Sequence, residues 1–173
     1  RLGAGSTAVV IGVGGLGAFA VQLLRALTPA RVVGVDTNPA RRAVALELGA
    51  HEAVDDVSAA GGPAEVVLDI VGTDATIAAG LAATAAYGAF GLVGAGQGTF
   101  ARPWFGGLPR DAEVFTFQGS SIADVHAVVE LARSGAITSA VDRYPLSRVA
   151  DAYAAMEAGT LTGRAVVLPD EGA

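Results

Sequence analysis

The chain has 173 residues, of which 52 % are hydrophobic and 16 % charged, and its net charge at pH 7 is −6. This composition suits one α/β domain with a small appendage, while the negative charge and the lack of a long apolar stretch argue against a nucleic-acid or membrane partner. The sequence contains no cysteine, which excludes disulfides and thiolate metal sites and is consistent with a cytoplasmic protein.

The first elements predict a strand–helix–strand unit with a glycine-rich turn. The apolar run over residues 7–11 is typical of a buried strand, and apolar side chains then recur at helical spacing from Leu16 to Leu27. The letters G-V-G-G-L-G occupy positions 12–17, between these two elements. A second apolar run over residues 31–35 is followed by Asp36, nineteen residues after the last glycine of the turn. Strand, glycine turn, helix, strand and acid in this order are typical of a dinucleotide-binding unit.

Each position of the glycine turn has a chemical role in such a unit. Gly12 permits the tight turn, Gly14 lets the backbone approach a pyrophosphate, and Gly17 allows the helix and the strand to pack closely. Gly15 and Leu16 lie at the helix N-terminus, where free amides and the helix dipole favour an anion. The turn therefore predicts a diphosphate site.

Asp36 bears on the choice of cofactor. A carboxylate at the end of the second strand can accept hydrogen bonds from a ribose diol, but it would repel a 2′-phosphate. The residue therefore favours NAD over NADP. The alternative is a glycine-rich turn that binds no ligand, because the chain contains 24 glycines, but the combined spacing of strand, helix and acid favours the dinucleotide.

The rest of the sequence predicts alternating strands and helices. Further strands are expected at residues 52–55, 65–72, 89–93, 113–117 and 164–168, and further helices at 39–48, 74–81, 124–134 and after Ser147. Asn38-Pro39 is expected to supply the cap and the first residue of the helix at 39–48, and Tyr87-Gly88 to turn the chain into the strand at 89–93. Right-handed connections imply an α/β fold, a Rossmann doubly wound parallel sheet of six strands in the order 3-2-1-4-5-6, with a C-terminal helix and strand tail. The link over residues 56–64 is too short for a full helix, and so we expect a loop or a single turn there.

Three polar residues in these elements are expected to have structural roles. Asp69 lies inside an apolar strand, where a satisfied structural carboxylate is expected rather than a catalytic one. Asp74 is predicted to cap the helix that follows it, and Ser121 to cap the helix near residue 124.

Several segments resemble a known family. The zinc-type alcohol dehydrogenases of the medium-chain dehydrogenase/reductase superfamily are similar to this chain over residues 9–17, 22–27, 35–36, 144–146 and 159–169. The resemblance corresponds only to the C-terminal half of those enzymes. It implies an NAD-binding Rossmann domain over residues 1–120 and a C-terminal segment over 121–173 that adjoins an upstream catalytic domain. Because the chain begins at Arg1 rather than at a methionine, we expect it to be part of a longer protein.

The resemblance also implies contacts to the adenosine and diphosphate parts of the cofactor. Arg41 matches a basic residue that helps to hold the adenosine ribose. Val71 lies where the family packs the adenine side of the cofactor. Arg164 matches an arginine that reaches the pyrophosphate from the C-terminal strand, and the alternative is a surface arginine that flanks this strand.

Further implied contacts concern the nicotinamide. Val93, Gly94 and Ala95 match a strand end whose backbone meets the carboxamide in the family. Phe117 and Gly119 fall near a segment that contacts the carboxamide from the other side. These residues complete the expected cofactor site.

No catalytic or metal-binding residue is expected in this chain. In the family, the zinc ligands and the groups that relay the alcohol proton lie upstream, and His51 and His126 lack partners at zinc-ligand spacing. The resemblance implies a parent enzyme that transfers a hydride between an alcohol or carbonyl substrate and NAD, with zinc bound only by the parent. It implies a homodimer, and we expect the isolated chain to bind NAD and to catalyse nothing.

Two alternatives remain open. The chain could be the cofactor half of a zinc-free quinone or enoyl reductase, a group that typically uses NADPH. It could instead be a stand-alone dinucleotide-sensing module. Titration with NADH and NADPH tests the first alternative, and the sequence upstream of this chain tests the second.

Overall fold

Six parallel strands form the main sheet, in the spatial order β3-β2-β1-β4-β5-β6. They are β1 (Thr7–Ile11), β2 (Arg31–Val35), β3 (Glu52–Val54), β4 (Ala64–Asp69), β5 (Thr84–Leu92) and β6 (Glu113–Thr116). This architecture comes from a computed structural model that describes residues 2–103, 105–161 and 163–170. The predicted Rossmann fold and strand order are confirmed.

Helices cover both faces of the sheet. α1 (Gly17–Leu27) and α2 (Pro39–Glu47) pack on one face and α3 (Asp74–Ala83) on the other, whereas the remaining helix of this unit, α4 (Ile122–Arg133), has no buried residue. As predicted, Asn38 caps α2, since its side chain accepts a hydrogen bond from the amide of Ala40 and Pro39 occupies the first helical turn. In the ranges given above, no helix has both the length and the apolar character that crossing a membrane requires.

The apolar strands β1 and β2 supply side chains to two core layers. Val9 and Val33 lie in one layer with Ile77 of α3, whereas Val10 and Val32 lie in the other. Successive strand residues point to opposite faces of a sheet, so a strand that is buried on both faces must be apolar throughout. This is why these two strands read as uninterrupted apolar runs.

The link between β3 and β4 contains a single turn, as predicted. It is a 3-10 helix over Val57–Ala60, and both of its end residues are buried in the core. The carboxylate of Asp56 caps this turn. Hydrogen bonds from the hydroxyl and the amide of Ser58 hold the pKa of Asp56 below its ordinary value.

Two predicted element boundaries are wrong. Thr73 rather than Asp74 caps α3, because the hydroxyl of Thr73 accepts a hydrogen bond from the amide of Thr76 while the Thr76 hydroxyl accepts one from the amide of Thr73. β5 begins at Thr84 rather than Ala89, because the sequence Tyr87-Gly88 forms an irregularity inside the strand and not a turn before it.

The backbone at Tyr87 explains the second error. Its φ is 62°, an uncommon value for a residue other than glycine, and its amide donates to the carbonyl of Arg110 at 2.8 Å. The pairing with β4 consequently changes register between Ala64 and Val66. Strand pairing therefore continues on both sides of the residue that we interpreted as a turn.

The chain divides between Ile137 and Thr138 into two compact units, and α4 belongs to the first. In the second unit, β7 (Val141–Pro145) and β8 (Arg164–Leu168) pair in parallel. A 3-10 turn over Leu146–Arg148 and helix α5 (Val149–Glu157) connect them. Our domain boundary after residue 120 concerns the parent protein and stays a prediction.

Candidate functional site

Most of the predicted cofactor residues follow the carboxyl ends of parallel strands. In order of strand, they are Gly12–Gly17 after β1, Asp36 after β2, Val71 after β4, Val93–Ala95 after β5 and Phe117 after β6. Parallel strands that share a direction place these ends along one edge of the sheet, and the strand order reverses between β1 and β4. Ligands of doubly wound folds bind in the crevice at this reversal.

Two glycines of the turn are required by the fold itself. Gly12 has a φ of 86°, and a Cβ there would lie 2.5 Å from the Val71 side chain. A Cβ on Gly17 would overlap the carbonyl oxygen of Gly12, so only a glycine lets α1 pack this closely on the turn. These positions shape the site without needing a ligand to explain them.

Gly14 differs from these two glycines. It has no left-handed φ, and a Cβ there would meet nothing closer than the guanidinium of Arg41, at 3.9 Å. The space above Gly14 is therefore open, and an alanine would fit the fold. A ligand that touches the backbone here is a physical reason for the absence of a side chain.

Free backbone donors surround this open space. Among the described residues, the amides of Gly14, Gly15 and Leu16 donate no hydrogen bond to a protein acceptor. Leu16 is the N-cap of α1 and makes no side-chain hydrogen bond to the helix. The first turn of α1 therefore offers amide donors and the positive end of the helix dipole. The chemistry of this cradle fits a diphosphate.

The carboxylate of Asp36 lies against the glycine turn. Oδ2 accepts a hydrogen bond from the amide of Val13 at 3.0 Å, and Oδ1 accepts one from the amide of Asn38 at 2.9 Å. Asp36 is only 7 % exposed. Each carboxylate oxygen retains a lone pair after its protein bond, which leaves capacity for the two hydroxyls of a ribose.

Two arginines of α2 flank Asp36. Nη1 of Arg41 lies 3.8 Å from Oδ2 of Asp36, and the Arg41 side chain is 47 % exposed. Arg42 donates instead to the backbone carbonyls of Asp36, at 2.8 Å, and Thr37, at 3.0 Å. The family resemblance pointed to Arg41 but not to Arg42, which fixes the backbone that carries the carboxylate.

A second wall of the crevice joins the turns after β4 and β5. The amide of Gly96 donates to the carbonyl of Val71, and that of Gly98 to the carbonyl of Gly72, both at 2.9 Å. A Cβ on Gly94 would overlap the backbone of Val71. The two turns therefore contact each other backbone to backbone, and the predicted residues Val71, Val93 and Gly94 belong to one packed structure with Ala95 exposed beside it.

Asp69, at the end of β4, connects these turns and was not predicted as a site residue. Its Oδ1 accepts from the amides of Val71 and Gly72, each at 2.9 Å, and its backbone carbonyl accepts from Val93 and Gly94, also at 2.9 Å. Asp69 is fully buried, and its Oδ2 has no partner among the described residues. The expectation of a satisfied carboxylate is therefore only half correct.

Three predicted cofactor residues are not joined to this site by any described contact. Phe117 and Gly119 lie exposed after β6, and Gly119 has a φ of 76°. Arg164 begins β8 in the second unit and is exposed. Their roles toward a cofactor stay predictions.

The described residues do not form a metal site. Within residues 2–103, 105–161 and 163–170, no group of three or more His, Asp or Glu side chains could hold a metal ion. Nδ1 of His51 accepts a hydrogen bond from the amide of Val32 at 2.9 Å, and His126 lies exposed on α4. The described side chains therefore do not fit a bound zinc ion.

Comparisons with known proteins point to one family. The family model described as zinc-binding dehydrogenase matches residues 15–134. A D-arabinose 1-dehydrogenase (NADP(+)) from Saccharolobus solfataricus is 29 % identical over 170 residues, which cover 93 % of this chain and 49 % of that protein. A geraniol dehydrogenase from Castellaniella defragrans is 40 % identical over 103 residues, 54 % of this chain and 28 % of that protein.

A solved structure agrees with these sequence matches. The alcohol dehydrogenase of Aeropyrum pernix superimposes with a TM-score of 0.87 at 30 % identity, over 98 % of this chain and 52 % of that one. The chain thus spans about half the length of the curated relatives that it matches along most of its own length.

Proposed function

Because the chain belongs to the zinc-binding dehydrogenase family, we propose that it is the NAD-binding half of an alcohol dehydrogenase. The parent enzyme would transfer a hydride between an alcohol or carbonyl substrate and NAD. The nicotinamide cofactor, when bound, supplies the hydride acceptor. This chain's own residues bind and orient the cofactor, and the isolated chain has no alcohol dehydrogenase activity.

The open space over Gly14 is the observation that carries this proposal. The fold tolerates a side chain at this position, yet the residue is a glycine beside three amides that have no protein acceptor among the described residues. A diphosphate accounts for both features, because it needs close backbone approach and amide donors. The turn of Gly12–Gly17 would hold the diphosphate and Asp36 would hold the adenosine ribose.

NAD rather than NADP is the proposed cofactor. The carboxylate of Asp36 is buried against the glycine turn, and in dinucleotide-binding folds an acid at this position accepts from the ribose 2′-hydroxyl of NAD. Arg41 lies 3.8 Å from this carboxylate and compensates part of its charge. The expected preference is for NAD, because a 2′-phosphate would bring a second anion next to this carboxylate, whereas the 2′-hydroxyl of NAD can donate a hydrogen bond to it.

Calorimetric titration of the whole chain with NADH and NADPH tests the proposal. NADH is expected to bind more tightly than NADPH by at least about tenfold, which corresponds to about 1.4 kcal/mol. The variant Gly14→Ala should weaken NADH binding by a similar factor, while its free energy of unfolding stays within about 0.5 kcal/mol of the wild type.

Gly3→Ala is the matched control for that variant. Gly3 also has open space around its missing Cβ and no left-handed φ, but it lies before β1 and outside the site. This control should change neither binding nor stability. A wild-type chain that binds neither dinucleotide would refute the proposal.

Further parts of the proposal concern the parent protein. By family membership, zinc and the proton-relaying groups would lie in a preceding domain, Arg164 would reach the pyrophosphate, and Phe117 and Gly119 would approach the nicotinamide. The parent would be a cytoplasmic homodimer. Zinc analysis and sedimentation of the full-length protein test these statements.

The alternative is the cofactor half of a zinc-free quinone or enoyl reductase. The nearby Arg41 and the NADP(+)-dependent relative keep this alternative relevant. Tighter binding of NADPH than of NADH would favour it over the alcohol dehydrogenase. A full-length protein with no zinc-ligand sequence would point the same way.

A further inference from the structure

Asp69 accepts hydrogen bonds from four backbone amides, which belong to two different turns. Its side-chain Oδ1 accepts the amides of Val71 and Gly72, and its carbonyl oxygen accepts those of Val93 and Gly94. One residue therefore anchors both the turn after β4 and the turn after β5. Of these bonds, only the two to Oδ1 depend on the identity of the side chain.

These two turns lie on the side of the crevice opposite to Asp36. The strand order places β2, which precedes Asp36, on one side of β1, and β4 with β5 on the other. A dinucleotide that crosses this crevice with its adenosine ribose at Asp36 would place its nicotinamide half on the side of β4 and β5. The family resemblance implies an adenine-side contact for Val71, so the nicotinamide would meet the turn after β5 rather than Val71 itself.

The adenosine side has an anchor of its own. The amide of Gly12 donates to the carbonyl of Val35 at 2.8 Å, and the amide of Val13 donates to Asp36. The glycine turn is thus hydrogen-bonded to the end of β2 and makes no described hydrogen bond to Asp69. Asp36 therefore holds backbone amides on one side of the crevice, and Asp69 holds backbone amides on the other.

Stability alone is a poor explanation for the carboxylate of Asp69. It is fully buried, and Oδ2 has no hydrogen-bond partner among the described residues. A buried carboxylate that is only half satisfied destabilises a fold unless its remaining bonds compensate. The bonds to Oδ1 do, however, fix the adjacent amides of Val71 and Gly72 in a turn that faces the crevice.

We propose that Asp69 is a positioning residue for the nicotinamide half of the cofactor. By holding the Val71–Gly72 turn, it also fixes the turn after β5, because Gly72 and Gly94 meet backbone to backbone. Asp69 does not touch the cofactor and acts through these turns. This inference rests on the proposed function.

Asp69→Val tests the proposal, because it removes the acceptor while keeping a side chain of similar size. Calorimetric titration of the whole chain with NADH and with ADP separates the two halves of the site, since ADP lacks the nicotinamide. Asp69→Val is expected to weaken NADH binding by about tenfold or more and to leave ADP binding within about twofold. Asp69→Asn keeps one acceptor oxygen and should restore NADH binding to within about threefold of the wild type.

Val67→Ala is the control for a merely structural effect. Val67 is fully buried in the same strand and on the same face, two residues before Asp69. Val67→Ala should lower the free energy of unfolding and leave the affinities for NADH and ADP unchanged. If Asp69→Val does not fold, Asp69→Ala takes its place, because it also removes both side-chain oxygens.

The outcomes distinguish this inference from the proposed function. A folded Asp69→Val or Asp69→Ala chain that binds NADH as the wild type does would overturn the role of Asp69. A parallel loss of NADH and ADP binding would overturn it as well, since it would show general damage to the site. A wild-type chain that binds neither molecule refutes the proposed function itself.

Discussion

The amide of Val13 donates to Oδ2 of Asp36 across 3.0 Å, so the glycine turn and the end of β2 are joined by one buried hydrogen bond. The residue proposed to recognise the cofactor therefore also shapes the turn proposed to bind the diphosphate. Replacing Asp36 should affect both parts of the site together. This coupling determines how variants at the site must be interpreted.

Asp36→Asn should reduce the preference for NADH over NADPH. The amide retains one acceptor oxygen but loses the charge that repels a 2′-phosphate, so NADH affinity should fall by about tenfold and NADPH affinity should rise. Calorimetric titration with both cofactors measures the ratio. Asp111→Asn is the matched control, because it removes one exposed negative charge outside the site. An unchanged ratio in Asp36→Asn would contradict the assigned role.

Gly17→Ala should destabilise the fold by about 3 kcal/mol. The added Cβ would overlap the carbonyl oxygen of Gly12, so α1 must move away from the turn. Urea unfolding monitored by circular dichroism measures the loss. Gly14→Ala, in the same turn but next to open space, should unfold like the wild type. Equal stability of the two variants would show that the close helix contact is not needed.

Gly80→Ala should destabilise the chain by about 1–3 kcal/mol, although alanine is the better helix former. Gly80 lies in α3, and a Cβ there would come within 2.5 Å of the fully buried Phe90 ring. Phe90→Leu removes the far edge of that ring. In the double variant, the loss should therefore be smaller than the sum of the two single losses, as thermal unfolding would report. Additive losses would contradict this contact.

Helix α4 should lose stability in acid. Hydrogen bonds from the hydroxyl and then the amide of Ser121 hold the pKa of Asp124 below its ordinary value of 3.8. A lowered pKa means that this stabilisation is present above the unfolded value and is lost as the pH falls through the folded one. The protection factors of the amides in the first turn of α4, taken relative to intrinsic exchange at each pH, should therefore fall below about pH 4.

Ser121→Ala provides the comparison for that titration. It removes the hydroxyl, so the pKa of Asp124 should move toward its ordinary value and the first turn should exchange faster at neutral pH. The difference between neutral and acidic pH should shrink accordingly. A variant whose exchange depends on pH as strongly as that of the wild type would contradict the cap.

The parts of the fold that local sequence determines were predicted well. β1 and β2 are apolar because both faces are buried, and Asn38-Pro39 begins α2 as its chemistry requires. β5 was placed too late, because Tyr87-Gly88 is typical of a turn. Its actual conformation depends on a hydrogen bond to Arg110, 23 residues further along the chain. No local pattern contains that information.

The candidate site likewise contains residues that local sequence predicts and one residue that it does not. Gly12, Gly14, Gly17 and Asp36 form a motif whose spacing directly reflects the geometry of one βαβ unit. Asp69 could not be assigned from spacing, because its role depends on contact between two turns that are distant in sequence. The only signal in the sequence was an acidic residue within an apolar strand.

The nine residues between β3 and β4 are only just long enough to connect the two strands. The path from the end of β3 to the start of β4 crosses three inter-strand spacings and runs back to the other edge of the sheet, a distance of about 22 Å. Nine residues that include one 3-10 turn can span about 25 Å. A shorter link would pull β3 off the sheet edge, while a longer one would loop outward without strain. This segment therefore tolerates inserted residues far better than it tolerates deletions.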